Sequence, residues 1–230
     1  MNNLWEKFYQ EKGEQGMMQF PFSIIIELIR FYENKNNIND KSKINILEIG
    51  AGSGVNLKYA ASLGYNVYGI DISETATNYA KKSFKKNNLN GNFLTASADS
   101  LPFEDDFFHI IIDHGALVCV DENTYKKAID EIYRVGKKNS ITLLTPQSEI
   151  SSYATKLFKD NHNETNMTFK NSEIYLNNIG LNMVINILNN RFSVEVLRRN
   201  DRTDYTLSND KKYIINEKMQ SIYYMFIQKQ

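Results

Sequence analysis

Residues 46–54 read Ile46-Leu47-Glu48-Ile49-Gly50-Ala51-Gly52-Ser53-Gly54, an apolar run that ends in three alternating glycines. A short apolar run bounded by glycines is typical of a buried strand. Glycine has no Cβ, so the chain can turn tightly there and a ligand can approach the backbone closely. Residues 55–63 carry a helical pattern, and the first turn of a helix presents free N–H groups. The stretch therefore predicts a strand, a glycine turn and a helix around a bound ligand.

The rest of the chain alternates strand-like and helix-like segments, which favours a parallel sheet covered by helices. Strands are predicted at residues 44–49, 66–70, 92–96, 107–113, 141–145, 192–197 and 221–227. Helices are predicted at residues 5–12, 23–32, 55–63, 73–84, 121–133 and 174–179, the last with 188 as its furthest end. Residues 147–170 are predicted to be a polar connection.

Neither an internal repeat nor a linker rich in Pro, Gly or Ser interrupts the chain, so we predict a single domain over residues 1–230. Residues 1–40 are expected to form a helical lid. Residues 44–145 are expected to form the cofactor-binding core, and residues 146–230 a part that shapes the substrate pocket.

The charge and composition narrow the classes of partner. The chain has 27 basic and 27 acidic residues and a formal net charge of zero, whereas proteins that grip long nucleic acid usually carry a basic surplus. The single cysteine, Cys119, excludes a disulfide within the chain. We see neither a secretory signal nor an apolar run long enough for a bilayer. We therefore expect a cytoplasmic protein with no membrane or long nucleic-acid partner, and the spacing of His, Cys and Asp predicts no metal site.

The glycine motif argues against a dinucleotide. The NAD fingerprint needs a glycine at position 55, where Val55 stands. The carboxylate of Glu48 at the strand tip would repel a pyrophosphate, but it suits the ammonium and the sulfonium of S-adenosylmethionine. The pattern Glu-x-Gly-x-Gly-x-Gly resembles the first motif of the class I (Rossmann-like) S-adenosylmethionine-dependent methyltransferases. The resemblance implies that Gly50, Ala51 and Gly52 contact this cofactor together with Glu48.

Acidic residues after the next two strands extend the resemblance, which covers residues 44–145. Asp71 stands about twenty residues after Gly50, where an acidic side chain can accept both ribose hydroxyls, and Ile72 would lie against the adenine. The segment from Ala98 to Phe103 is similar in part to a methyltransferase pattern, Asp-x-x-x-Leu-Pro-Phe. There Asp99, with Ser100 beside it, would bind the adenine.

The fourth strand ends in Asp113-His114-Gly115. In the family this junction lies beside the transferable methyl, so Asp113 is expected at the cofactor and His114 is the candidate catalytic base. The alternative is that His114 orders the loop or touches the cofactor while positioning alone drives the reaction. His109, within the same strand, is predicted to be structural. The junction lacks the Asn/Asp-Pro-Pro-Tyr/Phe motif that accompanies methylation of exocyclic amines.

The family implies a fold and a reaction. The fold is a three-layer αβα sandwich with a seven-stranded, mostly parallel sheet whose last strand is antiparallel. The reaction is methyl transfer from S-adenosylmethionine, which leaves S-adenosylhomocysteine as product. We expect a monomer or a homodimer.

Three flanking pieces are candidates for the substrate site. Tyr9, Gln19 and Phe20 lie around flexible glycines and would form the lid, or would simply pack against the domain. Tyr153, in the polar stretch with Ser148 and His162, would shape the pocket or lie in a solvated connection. Arg198 and Arg199, in a basic link with Arg202, Lys211 and Lys212, would hold an anionic group or belong to a solvated hairpin.

The leading functional hypothesis is a methyltransferase acting on a small molecule, for example a sugar, a glycan precursor or another anionic metabolite. RNA or protein methylation is the second hypothesis, which the neutral charge disfavours. A cofactor-binding partner subunit without its own activity is the third. An NAD oxidoreductase is disfavoured by Val55 and Glu48.

Overall fold

A computed structural model of the chain describes residues 2–146, 164–169, 172–177, 181–207 and 213–230. Side chains are described for residues 4–146, 181–198 and 222–230. The described strands are β1 (Asn45–Ile49), β2 (Asn66–Asp71), β3 (Asn92–Thr95), β4 (Phe108–Asp113), β5 (Gly136–Leu144), β6 (Glu164–Phe169), β7 (Ser172–Asn177), β8 (Phe192–Leu207) and β9 (Tyr213–Lys229). The described helices are α1 (Asn2–Lys12), α2 (Ser23–Asn36), α3 (Val55–Ser62), α4 (Glu74–Lys86), α5 (Glu122–Val135) and α6 (Leu181–Leu188).

Within the described ranges, seven strands form one sheet in the order β3-β2-β1-β4-β5-β9-β8. Strands β1 to β5 pair in parallel, and β9 runs antiparallel to both β5 and β8. The predicted mostly parallel sheet with an antiparallel last strand is confirmed. The strand order reverses between β1 and β4, which opens a crevice beyond their carboxyl ends.

Helices cover both faces of the sheet, as the predicted three-layer sandwich requires. Helices α2, α3 and α4 contribute buried apolar residues to one face, for example Leu28 and Leu57. Helices α5 and α6 cover the other face through residues such as Ile129 and Val184. Strand β4 is buried on both faces, because its side chains alternate between the two clusters.

Two predicted caps fix where helices beside the crevice begin. Ser73 Oγ accepts a hydrogen bond from the Ala76 amide, 3.0 Å away, and starts α4. Asp121 Oδ1 accepts from the Thr124 amide at 2.9 Å and starts α5. Each cap satisfies an amide that the helix itself leaves unpaired, so both elements begin at the carboxyl edge of the sheet.

The second half of the chain differs from the sequence-based expectation. The prediction of a helix at 174–179 is wrong, because Ser172–Asn177 is strand β7. Strand β7 pairs antiparallel with β6, which lies inside the predicted polar connection. Helix α6 begins only at Leu181. Strands β8 and β9 pair along a ribbon much longer than the predicted 192–197 and 221–227. Pairing between strands determines that these segments are extended, and the local sequence pattern carries no information about that pairing.

None of the helices in the described ranges is long and apolar enough to cross a membrane.

Candidate active site

A cavity of about 800 Å³ lies beyond the carboxyl ends of β1, β2 and β4. The predicted site residues that line it are Tyr9, Glu48, Gly50, Ala51, Gly52, Asp71, Ile72, Asp99 and His114. The predicted residues Gln19, Phe20, Ser100, Asp113 and Arg198 do not line it. The structure thus brings together, at one edge of the sheet, the residues that the motifs predicted there. The volume of the cavity lies in the usual range for ligand sites.

The turn after β1 requires glycine. Gly50, Gly52 and Gly54 have φ angles of 68°, 49° and 69°, in the left-handed region that side chains disfavour. A Cβ added to Gly50 would lie 2.4 Å from the Cβ of Ala116. The backbone therefore comes close to the loop after β4, and the turn leaves its open side to the cavity.

The carboxylate of Asp71 braces this turn. Its Oδ2 accepts from the Gly52 amide at 2.9 Å, and its Oδ1 accepts from the Ser73 amide at 2.9 Å. Burial raises the pKa of Asp71, and the two backbone donors act in the opposite direction. Asp71 also lines the cavity, so the same side chain organises the loop and reaches the ligand space. The binding of ribose hydroxyls by Asp71 stays a prediction.

Glu48 has one oxygen satisfied and one oxygen without a partner. It is 3% exposed, its Oε1 accepts from Asn56 Nδ2 at 2.6 Å, and its Oε2 has no partner among the described residues. Burial raises the pKa of Glu48 to about 8, the Asn56 hydrogen bond lowers it, and Asp71 and Asp113 raise it further. A buried unpaired carboxylate oxygen is costly, and a cationic group of a ligand would remove that cost. The ammonium of S-adenosylmethionine fits this position.

The residues after β3 line the cavity only in part. Asp99 lies at its wall together with Ser97 and Ala98, whereas Ser100 is exposed and its amide donates to Ser97 O. The adenine contact of Asp99 stays a prediction. Ser97 was missed because nothing in the sequence separates it from other loop serines.

Asp113 serves the loop after β4. It is 1% exposed, and its Oδ1 accepts from the amides of Ala116 and Leu117, both at 3.0 Å. Burial raises its pKa to about 6. This carboxylate therefore holds the loop that packs on Gly50, and the structure gives it contacts different from the predicted cofactor contact.

His114 faces the cavity in a buried setting. Its ring stacks on Phe22, with centroids 3.8 Å apart, and its Nε2 is buried without a partner in the described part of the chain. Burial lowers the pKa of His114 to about 4, so the imidazole is neutral at pH 7. His109, in contrast, accepts from the Asn45 amide at 3.0 Å, as expected for a structural histidine.

Helix α1 covers the glycine turn. A Cβ added to Gly52 would lie 3.1 Å from the hydroxyl oxygen of Tyr9, and Trp5 and Phe8 line the cavity beside it. Burial, followed by Asp71 and Glu48, raises the pKa of Tyr9. Tyr9 thus lies where the sequence analysis placed a lid residue.

The loop after α1, residues 13–22 and called the lid loop below, places its two predicted residues differently. Gln19 donates to Met17 O at 3.0 Å and is exposed. Phe20 is 80% exposed. The backbone of the same loop is held by the glycine turn and by α3, because Ser53 Oγ donates to Met18 O at 2.9 Å and the Phe22 amide donates to Asn56 Oδ1 at 3.0 Å.

Ser53 and Asn56 were missed by the sequence analysis. Asn56 stands four residues before Ala60, which is fully buried, so the helical period placed it on the inward face. That spacing indicates only that Asn56 faces inward. Its partner in the lid loop becomes visible only in the tertiary structure.

The polar and basic flanks give less to the described site. Arg198 pairs with Glu27 of α2. The residues Tyr153, Ser148, His162, Lys211 and Lys212 lie outside the described residues, as do the side chains of Arg199 and Arg202. The part of the cavity wall that is described carries Glu48, Asp71, Asp99 and Asp121 and neither Lys nor Arg. Within the described ranges, no group of three His, Cys, Asp or Glu side chains is placed to share a metal ion.

Comparison with known proteins agrees with this geometry. Residues 46–139 match a family model described as a methyltransferase domain. A ubiquinone biosynthesis O-methyltransferase of Rickettsia prowazekii is 36% identical over 115 residues, which are 48% of this chain and 42% of that protein. An eEF1A lysine and N-terminal methyltransferase of Mus musculus is 26% identical over 58% of this chain and 19% of that protein. The chain spans roughly half or less of the length of the first curated relatives that it matches.

The fold has solved counterparts as well. The crystal structure of a methyltransferase from Methanosarcina mazei, described as dependent on S-adenosylmethionine, superposes with a TM-score of 0.66 at 21% identity. That superposition covers 92% of this chain and 99% of that chain. The likeness confirms the Rossmann-like methyltransferase fold.

Proposed function

We propose that this protein, whose residues 46–139 are a class I methyltransferase domain for S-adenosylmethionine, transfers the methyl group of that cofactor to an uncharged small molecule. The observation that carries the proposal is the cavity at the glycine turn, whose described wall includes Glu48, Asp71 and Asp99, and Glu48 Oε2 has no partner among the described residues. These groups match the ammonium, the ribose hydroxyls and the adenine amine of the cofactor.

When bound, S-adenosylmethionine supplies a methyl group on a good leaving group, so alignment with the acceptor provides much of the acceleration. The residues of the chain hold the cofactor and orient the methyl acceptor. The glycine turn and Asp71 fix one side of the cavity, and α1 covers it and excludes water. The Nε2 atom of neutral His114 accepts a hydrogen bond from the molecule that receives the methyl group. This hydrogen bond orients that molecule, and Nε2 takes up its proton as the new bond to the methyl group forms.

The charge of the described wall supports an acceptor without anionic groups. An anion next to Asp121, whose pKa is lowered by hydrogen bonds from Thr124, would be repelled, and the described wall offers it neither Lys nor Arg. An uncharged acceptor therefore fits the described wall better than an anionic metabolite does. The Rickettsia relative, named as an O-methyltransferase, favours a hydroxyl as the accepting group.

Calorimetry with the full chain tests the cofactor part. S-adenosylmethionine and S-adenosylhomocysteine should bind and NAD should not. Asp71→Ala should weaken binding by about tenfold or more, because it removes a carboxylate that accepts hydrogen bonds. Asp105→Ala, which removes an exposed carboxylate paired with Arg134, should leave binding unchanged. Binding of NAD alone would overturn the proposal.

Turnover tests the acceptor part. Formation of S-adenosylhomocysteine should be detected with uncharged hydroxyl compounds and should be at least tenfold slower with analogues that carry a carboxylate or phosphate. Preference for the anionic analogues would contradict the uncharged acceptor. Turnover that appears only after another protein is added would favour the partner subunit.

Protein methylation is the second candidate, because the Mus musculus relative carries that name. It predicts methylation of a folded protein or peptide and no turnover with free small molecules. We also propose a cytoplasmic location, with which the single cysteine is compatible, and no long nucleic-acid partner, because the net charge is zero.

A further inference from the structure

Asn56 connects the cofactor side of the cavity to the lid loop. The side chain is 5% exposed in the first turn of α3. Its Nδ2 donates to Glu48 Oε1 at 2.6 Å, and its Oδ1 accepts from the Phe22 amide at 3.0 Å. Phe22 in turn stacks on His114. One buried amide side chain therefore contacts both Glu48, on the cofactor side of the cavity, and Phe22, which packs on the candidate base His114.

The two partners determine the orientation of this amide. The Phe22 backbone N–H can only donate, so the oxygen of Asn56 faces it and the amide nitrogen faces Glu48. A carboxylate at position 56 would keep the acceptor for Phe22 but would lose the donor for Glu48. An apolar side chain would lose both.

We propose that Asn56 is a positioning residue, which holds Glu48 so that its free oxygen receives the ammonium of S-adenosylmethionine and which anchors Phe22 against His114. The inference rests on the proposed function. It assigns to Asn56 no contact with the reacting atoms: the residue acts through Glu48 and Phe22.

The surroundings of Glu48 explain why it needs this donor. The charged or titratable groups that act on it are Asp71 of β2, Asp113 of β4 and Tyr9 of α1. Burial and both aspartates favour the protonated carboxyl, whereas the N–H of Asn56 favours the carboxylate. The donor therefore makes the anionic form available to a cationic ligand.

The test uses Asn56→Asp and two ligands that differ in the amino-acid part. S-adenosylhomocysteine carries the ammonium, and 5′-methylthioadenosine lacks it. At pH 7 the variant should bind S-adenosylhomocysteine about tenfold or more weakly, as expected for a lost charge-assisted hydrogen bond. It should bind 5′-methylthioadenosine within about threefold of the parent protein, since that ligand makes no contact with Glu48.

The pH dependence gives a readout that a purely structural role would not move. Binding of S-adenosylhomocysteine to the parent should strengthen from pH 5.5 and level off near pH 8, because Glu48 must lose its proton. In Asn56→Asp the strengthening should continue beyond pH 8. Ser53→Ala is the matched control, because it releases the same lid loop at Met18 without touching Glu48, and its pH dependence should be that of the parent.

A double variant separates folding from positioning. Glu48→Gln with Asn56→Asp exchanges the acid and the amide and keeps the net charge. The hydrogen bond between the two positions and the acceptor for Phe22 both remain, so the thermal midpoint should return close to that of the parent. Binding of S-adenosylhomocysteine should stay weak, because the carboxylate has moved.

The outcomes are distinct. Equal weakening of both ligands in Asn56→Asp, an unmoved pH dependence, or parental binding by the double variant would each overturn the role of Asn56. Failure of the parent protein to bind either ligand would instead overturn the proposed function.

Discussion

The phenyl ring of Phe22 stacks on the imidazole of His114, with centroids 3.8 Å apart and planes 23° apart. Phe22 belongs to the lid loop and His114 directly follows β4, so the contact joins two distant parts of the chain at the cavity wall. Because it excludes water from the imidazole, it contributes to the burial that keeps His114 neutral.

Replacing Phe22 should return the pKa of His114 toward that of an ordinary histidine. In Phe22→Ala we expect the pKa of His114 to rise from about 4 toward 6.5, the ordinary value for histidine, because water reaches the ring. NMR titration of the three histidines measures this, with His114→Asn to assign the signal and His109 as the internal control. A pKa that stays near 4 would show that Phe22 does not cause the burial.

Removal of His114 distinguishes its two candidate roles. If it receives the proton, His114→Asn should lower turnover by about 10²-fold or more and leave the affinity for S-adenosylhomocysteine within about twofold. Turnover of the parent should not change between pH 6 and 8 on account of this residue, because His114 is already neutral there. Unchanged turnover in the variant would assign His114 to ordering the loop.

The lid helix should depend on Glu6. Its carboxylate accepts from Ser73 Oγ and Thr75 Oγ1, both at 2.6 Å, and these hydrogen bonds lower its pKa to about 2. Glu6→Gln should loosen α1, raise the accessibility of Trp5 to acrylamide and speed cofactor release by about fivefold.

Trp5 is the only tryptophan of the chain and lines the cavity, so its fluorescence reports on α1 directly. Glu11→Gln, an exposed position on the same helix, is the matched control. Because the folded-state pKa of Glu6 is depressed, its contribution should be present above about pH 4.5 and lost as the pH falls toward about 2. Equal quenching in both variants would argue against a docked lid.

The ligand-free protein should lose stability as the pH rises from about 5 to 8. Glu48 keeps its proton in the folded state up to about pH 8, whereas the unfolded chain releases it near pH 4.5, the ordinary pKa of a glutamate side chain. The unfolded state therefore binds fewer protons in this window, and raising the pH favours it. Urea unfolding at several pH values measures the slope, which should shrink in Glu48→Gln. A flat or rising stability in the parent would contradict the burial of a protonated Glu48.

The glycine turn should resist substitution for two separable reasons. Gly50→Ala introduces strain at φ 68° and a contact of 2.4 Å with the Cβ of Ala116. Gly64→Ala introduces strain at φ 93°, and no atom of the described residues lies within 4 Å of the added Cβ. Strain costs about 1–2 kcal/mol, and overpacking adds about 1–3 kcal/mol. Denaturant unfolding should therefore show Gly50→Ala to be the more damaging change, and an equal loss would mean that the loop after β4 moves aside.

Several features were readable from the sequence because they are local. The apolar run before Gly50 predicted β1, Ser73 and Asp121 predicted the caps of α4 and α5, and the glycine motif predicted the cofactor class. A strand tip, a cap or a turn is decided by a few neighbouring residues, and the parallel order then follows from the helices between the strands.

The tertiary structure alone decided the contacts between distant segments. It paired β6 with β7 where a helix was predicted, it turned Arg198 toward Glu27, and it engaged Asp113 with the loop amides. It also placed Asn56 between Glu48 and Phe22, residues that the sequence separates. Burial and pairing depend on which segments meet in space, so the polarity of a side chain in the sequence does not tell whether it will bind a ligand or hold the chain.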